Sequence, residues 1–255
     1  MRLLVCVKRV PAPGARINLT ADERAIDPTH LAFTTSPHEE CALEAAVQLV
    51  EHHGGEVTVL TVGPDEAAEQ LRYAVSVGAH AAVLMPTDGE DPDPQRTAAV
   101  IVAAVRRLEE GGGPFDLLLF GNESADAGGF QVGIRVAVAL DRPIVNGAKE
   151  LAVSDGVAHV EREADAGRET YALALPAVVG VREGINLPRY PTMKGRLASK
   201  KVAVERFELD APAGGQRMIR LRRPPERVSQ TVVLGRGPDA APAVVDLLTQ
   251  LGVLT

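Results

Sequence analysis

The stretch FDLLLFGNESADAGGFQVGIRVAVAL, residues 115–140, predicts the fold of the whole chain. It begins with a short, mostly apolar run, Phe115–Phe120, which is typical of a buried β-strand. A loop rich in glycine and polar residues follows, and a helical pattern then runs from near Asp126 to Leu140. Because a strand that passes through a loop into a helix is half of a βαβ unit, the stretch predicts an α/β fold.

The same alternation of strands and helices extends towards the N-terminus. Ser36, Pro37 and Glu39 form a helix start, with Ser at the N-cap, Pro at the first helical position and an acid at the third. Two further helical patterns begin at Asp65 and Pro94. Helices of this length between strands indicate a mostly parallel sheet that is covered on both faces. The strands that we predict between these helices are Arg2–Val7, Glu56–Val62 and His80–Met85.

The pattern changes after Asp141, where short strands are separated by turn residues. Four such strands predict an antiparallel extension of the sheet: Glu150–Val153, Val157–Glu163, Glu169–Ala174 and Ala177–Val181. We expect a nucleotide-binding α/β domain over residues 1–204 and a C-terminal arm over residues 205–255. The arm contains a predicted helix, Ala240–Leu251, but too few apolar residues for a core of its own, so we expect it to pack on a partner subunit.

Composition excludes several classes of function. The 255 residues carry 27 Lys and Arg against 34 Asp and Glu, and this net charge of −7 argues against nucleic acid as a partner. No apolar run approaches the roughly 18 residues that would predict a membrane span. The chain has only two cysteines, and its six histidines lack the spacing of metal ligands, so the sequence predicts neither a disulfide framework nor a metal site. The few cysteines favour a reduced, cytoplasmic setting. No catalytic arrangement is present either, so we expect a binding or carrier subunit and not an enzyme.

The glycine-rich loop, residues 121–133, carries the strongest signal for a ligand. Gly128 and Gly129 allow a ligand to approach the backbone, and N–H groups at the start of the following helix favour a phosphate. Asp126 is a candidate cap for that helix, and Gln131 is a candidate donor to a phosphate or ribose. The motif is neither a phosphate-binding Walker loop nor a dinucleotide fingerprint. A plain strand-to-helix turn therefore explains the same residues equally well.

Two other segments have alternative interpretations. Parallel sheets bind ligands beyond the carboxyl ends of their strands, which points to the loops after Val7, Val62 and Phe120. Gly63 would let a nucleobase lie against the backbone, but a plain strand-to-helix turn is the favoured interpretation there. Cys6 and Cys41 fit simple packing better than a chemical role. Residues 186–194 combine proline kinks, positive charge and Met193, which suits either a contact surface or a turn whose methionine packs into the core.

The order and spacing of several motifs resemble the beta subunit of electron transfer flavoprotein over nearly the full chain. The opening residues and Gln131–Gly133 look more like the branch that includes nitrogen-fixation-type subunits. The matching pieces are Val5–Pro11, Ser36-Pro37 with Glu40, Val62–Pro64, Gly121–Gly133, Arg162–Glu169, Leu175–Val179 and Asn186–Tyr190 leading to Lys200-Lys201.

This resemblance implies a Rossmann-like fold of the adenine nucleotide α-hydrolase type and an alpha subunit as partner. It also implies a structural AMP in this subunit and an FAD bound mostly by the alpha subunit. Such heterodimers take electrons from acyl-CoA or related dehydrogenases, as in fatty acid oxidation, and pass them to a quinone oxidoreductase or another acceptor. Two alternatives stay open: an electron-bifurcating subunit with FAD in the AMP pocket, and a stand-alone adenine-nucleotide-binding protein of the same fold.

The resemblance also assigns residues to two sites. A recognition loop, residues 184–201, would dock partner proteins through Tyr190, Thr192, Met193, Lys194 and Arg196. Pro13 and Phe130 depart from the family pattern, which leaves the flavin environment and the phosphate contacts open. The adenine nucleotide would touch Cys6, Ser36, Glu39, Val62, Gly121, Glu123, Ser124, Asp126, Gly128, Gly129, Gln131 and Val132.

Overall fold

One nine-stranded sheet organises most of the chain. The computed structural model describes residues 1–88, 91–208, 215–225 and 231–254, and it divides the chain into two units, residues 1–221 and 222–255. From edge to edge the strands are β11 (Val204–Arg206), β5 (Ala81–Pro86), β4 (Glu56–Gly63), β1 (Arg2–Cys6), β6 (Leu117–Gly121), β10 (Ala177–Val181), β7 (Ile144–Ser154), β8 (Val157–Ala164) and β9 (Gly167–Ala174). A small antiparallel pair joins β2 (Val10–Pro11) to β3 (Phe33–Thr34).

The sheet is parallel from β11 to β7 and antiparallel from β7 to β9. This arrangement confirms the predicted α/β, Rossmann-like fold with an antiparallel extension. The helices are α1 (Pro37–His53), α2 (Ala68–Val77), α3 (Pro94–Gly112), α4 (Val132–Ala139) and α5 (Met193–Ser199) in the first unit, and α6 (Ala241–Gln250) in the second.

Successive residues of β1 point to opposite faces of the sheet, which gives the first unit two hydrophobic cores. Leu3 and Val5 pack with α1 and α2, whereas Leu4 and Cys6 pack with α3 and α4. Helices therefore cover both faces of the parallel half. β1 continues through α1 to β4 on one side, while β6 pairs with β1 on the other side. The strand order reverses at this pair, and ligands of open parallel sheets bind at the carboxyl ends next to such a point.

Three predicted elements differ from the structure. β7 begins at Ile144, six residues before the predicted start at Glu150, and its first part pairs in parallel with β10. α4 begins at Val132 and not near Asp126, because Gly128 and Phe130 adopt left-handed φ values of 55° and 53° that no helix continues through. β10 lies between β6 and β7 in the parallel half, and not in the antiparallel extension. Its residues AVVGV are all buried, as is typical of a central parallel strand.

The second unit has no buried side chain among its described residues. α6 matches the predicted last helix, and its apolar residues Val244, Val245 and Leu247 are exposed. Parts of the predicted C-terminal arm, residues 209–214, 226–230 and 255, lie outside the described residues. The domain boundary at residue 204 stays a prediction. No helix in the described ranges is long and apolar enough to cross a membrane.

Candidate functional site

A cleft of about 400 Å³ opens at the carboxyl ends of β6 and β10. Binding pockets for small ligands have volumes of roughly 300–1,000 Å³, so this cleft is large enough for one. The start of α1 forms one wall, the glycine-rich loop forms another, and Glu183 follows β10. The lining residues are Pro37, His38, Glu123, Ser124, Ala125, Asp126, Ala127, Gly128 and Glu183.

Glu39 joins the first strand to the first helix beneath this cleft. Its Oε2 atom accepts the backbone N–H of Ser36 at 3.1 Å and that of Lys8 at 3.0 Å. The residue is only 6% exposed, and burial raises the pKa of its carboxyl to about 8, although both N–H donors and the Lys8 charge oppose that shift. Gly121 packs against it so closely that an added Cβ would lie 2.7 Å from Glu39 Cγ. The end of β6 therefore needs glycine.

Lys8 connects the loops that follow three strands. Its Nζ atom lies 2.6 Å from Asp126 Oδ2 and 3.0 Å from Asp91 Oδ2. Burial lowers the pKa of Lys8, but the charges of Asp91 and Asp126 outweigh it and raise the pKa overall. Burial raises the pKa of the Asp126 carboxyl, but the charge of Lys8 and its hydrogen bond outweigh burial, so the pKa lies below its ordinary value. The lysine remains charged and fixes the glycine-rich loop to the end of β1.

Asp126 does not cap α4, contrary to the expectation from the sequence. Its carboxylate is bound by Lys8 and by the backbone N–H of Ala127 at 2.7 Å. The N-cap of α4 is Gln131, and none of the described side chains caps this helix. The Gln131 side-chain oxygen accepts from Arg135 Nε at 3.2 Å. The first-turn N–H groups of α4 therefore have no side-chain acceptor, which is the arrangement that accepts an anion.

His38 and Glu183 are cleft residues that sequence reasoning missed. His38 Nδ1 accepts the backbone N–H of Glu183 at 2.8 Å, and its Nε2 lies 3.5 Å from Glu123 Oε1. Ser36 Oγ donates to the carbonyl of Glu123 at 3.3 Å. A signal existed for His38, because Ser36 and Pro37 start a helix that begins at the ligand-binding edge. Glu183 had none, since β10 was placed in the antiparallel extension.

The structure brings four of the predicted nucleotide residues into the cleft wall: Glu123, Ser124, Asp126 and Gly128. The other eight do not line it. Cys6, Ser36 and Glu39 are buried, and Gly121 contacts Glu39. Val62 and Val132 pack against the core between the sheet and α3. Gly129 and Gln131 lead into α4. Burial, and then the Glu39 charge, raise the pKa of the Cys6 thiol, so this cysteine is a packed residue and not a nucleophile.

The predicted recognition loop, hereafter the docking segment (residues 184–201), lies across α1 and α2 and contains α5. Tyr190 is 90% exposed and Met193 is 75% exposed, so the alternative in which Met193 packs into the core is wrong. Thr192 caps α5, because its Oγ1 accepts the backbone N–H of Gly195 at 3.0 Å. The predicted docking residues Tyr190, Thr192, Met193, Lys194 and Arg196 are all exposed.

Comparison with known proteins identifies the family. Residues 26–212 match the family model described as Electron transfer flavoprotein domain. The chain belongs to this family. The matched range contains both the glycine-rich loop and the docking segment, whereas Cys6 and Lys8 precede it. No group of three or more His, Cys, Asp or Glu residues suited to a metal occurs in the part of this electron transfer flavoprotein chain that the structure describes.

Curated relatives place the chain among the beta subunits of electron transfer flavoprotein. It is 34% identical over 212 residues to the subunit beta of Bacillus subtilis, which covers 82% of this chain and 80% of the relative. The subunit beta of Syntrophomonas wolfei is 32% identical, over 90% of this chain and 88% of the relative. The mitochondrial subunit beta of Oryza sativa subsp. japonica is 31% identical, over 91% and 93%. The resemblance that the motifs carry is thereby confirmed, while membership of the nitrogen-fixation-type branch stays a prediction.

Proposed function

We propose that this beta subunit binds a structural AMP and docks dehydrogenases, so that an FAD held mainly by the alpha subunit can carry electrons to a quinone oxidoreductase or another acceptor. The subunit itself catalyses no reaction in this proposal. The observation that carries it is the cleft at the carboxyl ends of β6 and β10, next to the β1 and β6 pair where the strand order reverses. The glycine-rich loop that lines this cleft leads into α4, whose start has no side-chain cap.

Two kinds of polar group near the cleft support nucleotide binding: backbone N–H donors for a phosphate and side-chain acceptors for a ribose. Backbone N–H groups at the start of α4 suit a phosphate, and Gly128 and Gly129 let it approach the chain. An added Cβ on Gly129 would find its nearest heavy atom, Pro94 Cγ, at 3.8 Å, so the backbone is open there. The side chains Ser124 and Glu123 suit the hydroxyl groups of a ribose, because both can accept hydrogen bonds.

The charges around the cleft favour AMP over a second FAD. Glu123, Asp126 and Glu183 line it, and Lys8 is already paired with Asp126 and Asp91. None of the described residues that line the cleft is a lysine or an arginine, so each additional phosphate along this wall would face carboxylates, which costs free energy. A single phosphate at the start of α4 avoids that wall. These carboxylates therefore favour AMP, which has one phosphate, over FAD, which has two.

Docking is supported by the exposed apolar side chains of the docking segment. Tyr190, Met193 and Leu197 are exposed within eight residues of one another and are flanked by Lys194 and Arg196. A small number of exposed apolar side chains surrounded by polar residues is typical of a short-lived protein–protein contact. We place this subunit in the cytoplasm because its chain has only two cysteines, which suits a reduced compartment.

Mass spectrometry of the small molecules released from the denatured heterodimer tests the nucleotide proposal. We expect one AMP and one FAD per heterodimer. Two FAD molecules and no AMP would establish the bifurcating alternative. A stable homo-oligomer that holds an adenine nucleotide without any alpha subunit would instead identify a stand-alone nucleotide-binding protein.

A further inference from the structure

Arg189 binds the docking segment to α1 through two carboxylates. Arg189 Nε donates to Glu44 Oε2 at 2.8 Å, and its Nη2 donates to Glu44 Oε1 at 3.0 Å. The same guanidinium reaches Glu51 through Nη1 at 2.6 Å and Nη2 at 2.8 Å. The backbone N–H of Arg189 also donates to Glu44 Oε2, at 3.2 Å. One planar group thus holds two carboxylates in a forked geometry that lysine cannot reproduce.

The spacing of the two acids on α1 makes this clamp possible. Glu44 and Glu51 are seven positions apart, close to two helical turns, so their carboxylates lie on one face. Gln48 lies between them and donates to Glu44 Oε1 at 2.7 Å. Glu44 is 5% exposed, and the bonds from Arg189 hold its pKa below the ordinary value although burial alone raises it. Removing the arginine would leave this buried carboxylate without its cation.

Two more contacts fix the segment on either side of the clamp. Asn186 Nδ2 donates to the carbonyl oxygen of Cys41 on α1 at 2.9 Å. On the other side, Gly195 lies against the carbonyl of Ser76 at the end of α2, where no Cβ would fit. Tyr190 and Met193 lie between these two attachments. Arg189 is next to Tyr190 in the chain, so the clamp fixes the position from which the exposed residues project.

We propose that Arg189 is a positioning residue for docking: its clamp on Glu44 and Glu51 holds the docking segment in the conformation that a dehydrogenase binds. The inference rests on the proposed docking function of residues 184–201. Ordering a loop and its side chains during association costs affinity. A segment that is ordered beforehand binds more tightly without any additional contact.

Hydrogen–deuterium exchange over residues 190–201 of the heterodimer tests the ordering. We expect exchange about tenfold faster in Arg189→Gln and a smaller increase in Arg189→Lys and Glu51→Gln. Arg162→Gln is the control, because Arg162 pairs with Glu169 at 2.6 Å in the antiparallel extension, and its loss should leave the segment unchanged. If Arg189→Gln fails to assemble, Glu51→Gln carries the test, since it removes only the exposed half of the clamp.

The docking readout is the electron-transfer rate as a function of the concentration of an acyl-CoA dehydrogenase that reduces the wild-type heterodimer. In Arg189→Gln we expect the half-saturating concentration to rise about tenfold, with the maximal rate and the nucleotide content unchanged. Arg189→Lys should recover part of the loss. Met193→Ala, measured in parallel, tests the docking function itself.

Three results would overturn part of this account. Unchanged exchange in both Arg189→Gln and Glu51→Gln would show that no clamp orders the segment. Faster exchange with an unchanged half-saturating concentration would remove its role in docking. If Met193→Ala also left the half-saturating concentration unchanged, the proposed docking function would be wrong. If Met193→Ala raised that concentration strongly while Arg189→Gln did not change it, only the positioning role of Arg189 would be refuted.

Discussion

The cleft and the docking segment both depend on α1, but they use it in opposite ways. At the start of the helix, Glu39 is buried and accepts backbone N–H groups from Ser36 and Lys8. Further along the helix, Glu44 and Glu51 bind the guanidinium of Arg189. The buried contacts of Ser36 and Glu39 beneath the cleft suit a ligand that stays bound, while the docking segment presents exposed apolar side chains that suit a short-lived partner. Changes in the first region should therefore alter stability and nucleotide content, and changes in the second should alter the half-saturating concentration of the dehydrogenase and leave nucleotide content unchanged.

The largest expected effect is on the frame of the cleft. In Gly121→Val the new Cβ would lie 2.7 Å from Glu39 Cγ and 3.2 Å from His38 Cβ. Overpacking of this kind typically costs about 3 kcal/mol at its upper end, so we expect a loss of that size in the free energy of unfolding, together with loss of bound nucleotide. Urea denaturation measures it. Gly111→Val, in α3 and away from the cleft, is the matched control, since an added Cβ there has no heavy atom within 4 Å. Equal stability of Gly121→Val and wild type would contradict the close contact of α1 with β6.

The second effect belongs to the docking segment. Met193→Ala removes a side chain that is 75% exposed and that we expect to enter a dehydrogenase pocket. Loss of one such anchor costs about 2 kcal/mol, or about a 30-fold rise in the half-saturating concentration of the dehydrogenase. Stability and nucleotide content should not change. Met218→Ala, an exposed methionine outside the segment, should behave as wild type. Equal behaviour of the two variants would show that the anchor lies elsewhere.

The third prediction concerns pH. Burial raises the pKa of Glu39 from the ordinary value of 4.5 to about 8. Between these values the folded protein binds more protons than the unfolded chain, so stability falls as the pH rises through this window. The slope is at most about 1.4 kcal/mol per pH unit. Glu39→Gln should remove it, as measured by urea denaturation at several pH values. Glu150→Gln, at an exposed position, should keep the wild-type slope, and identical slopes in all three proteins would refute the assignment.

The smallest expected effect is on the free energy of unfolding, and it is tested by replacing one lysine from each region. Lys8→Met removes the partner of Asp126 and Asp91, and we expect a loss of about 1 kcal/mol in the free energy of unfolding, because the pair is partly exposed. Lys8→Arg should retain most of it. Lys194→Met, in the docking segment, should leave stability unchanged. If Lys8→Met and Lys194→Met were equally stable, Lys8 would not hold the glycine-rich loop.

Local patterns were sufficient for most of the fold. Periodicity and helix-start residues located β1, β4, β5, β6 and α1 to within a few residues, because each has its own apolar face or cap. The start of α4 was not predictable, since Phe130 adopts a left-handed φ that its residue type rarely takes. The place of β10 was also missed, because a five-residue apolar run has the same pattern in a parallel or an antiparallel sheet.

The candidate site was only half predictable for a related reason. The glycine-rich loop has a distinctive composition and follows a predicted strand, so the sequence predicts Glu123, Ser124, Asp126 and Gly128 as site residues. Lys8 and Glu183 contribute through tertiary contacts, and each depends on which strands are neighbours. Such contacts leave no local signal in a single sequence.

The three-residue strand β11 has a practical consequence for anyone shortening this protein. Val204–Arg206 pairs with β5, and Phe207 is buried against the core on the α3 side. A truncation that ends before Val204 would strip this cover and leave a row of unpaired backbone donors and acceptors on β5, which is a template for aggregation. Any minimal version of the protein that is to stay monodisperse should therefore extend beyond Phe207.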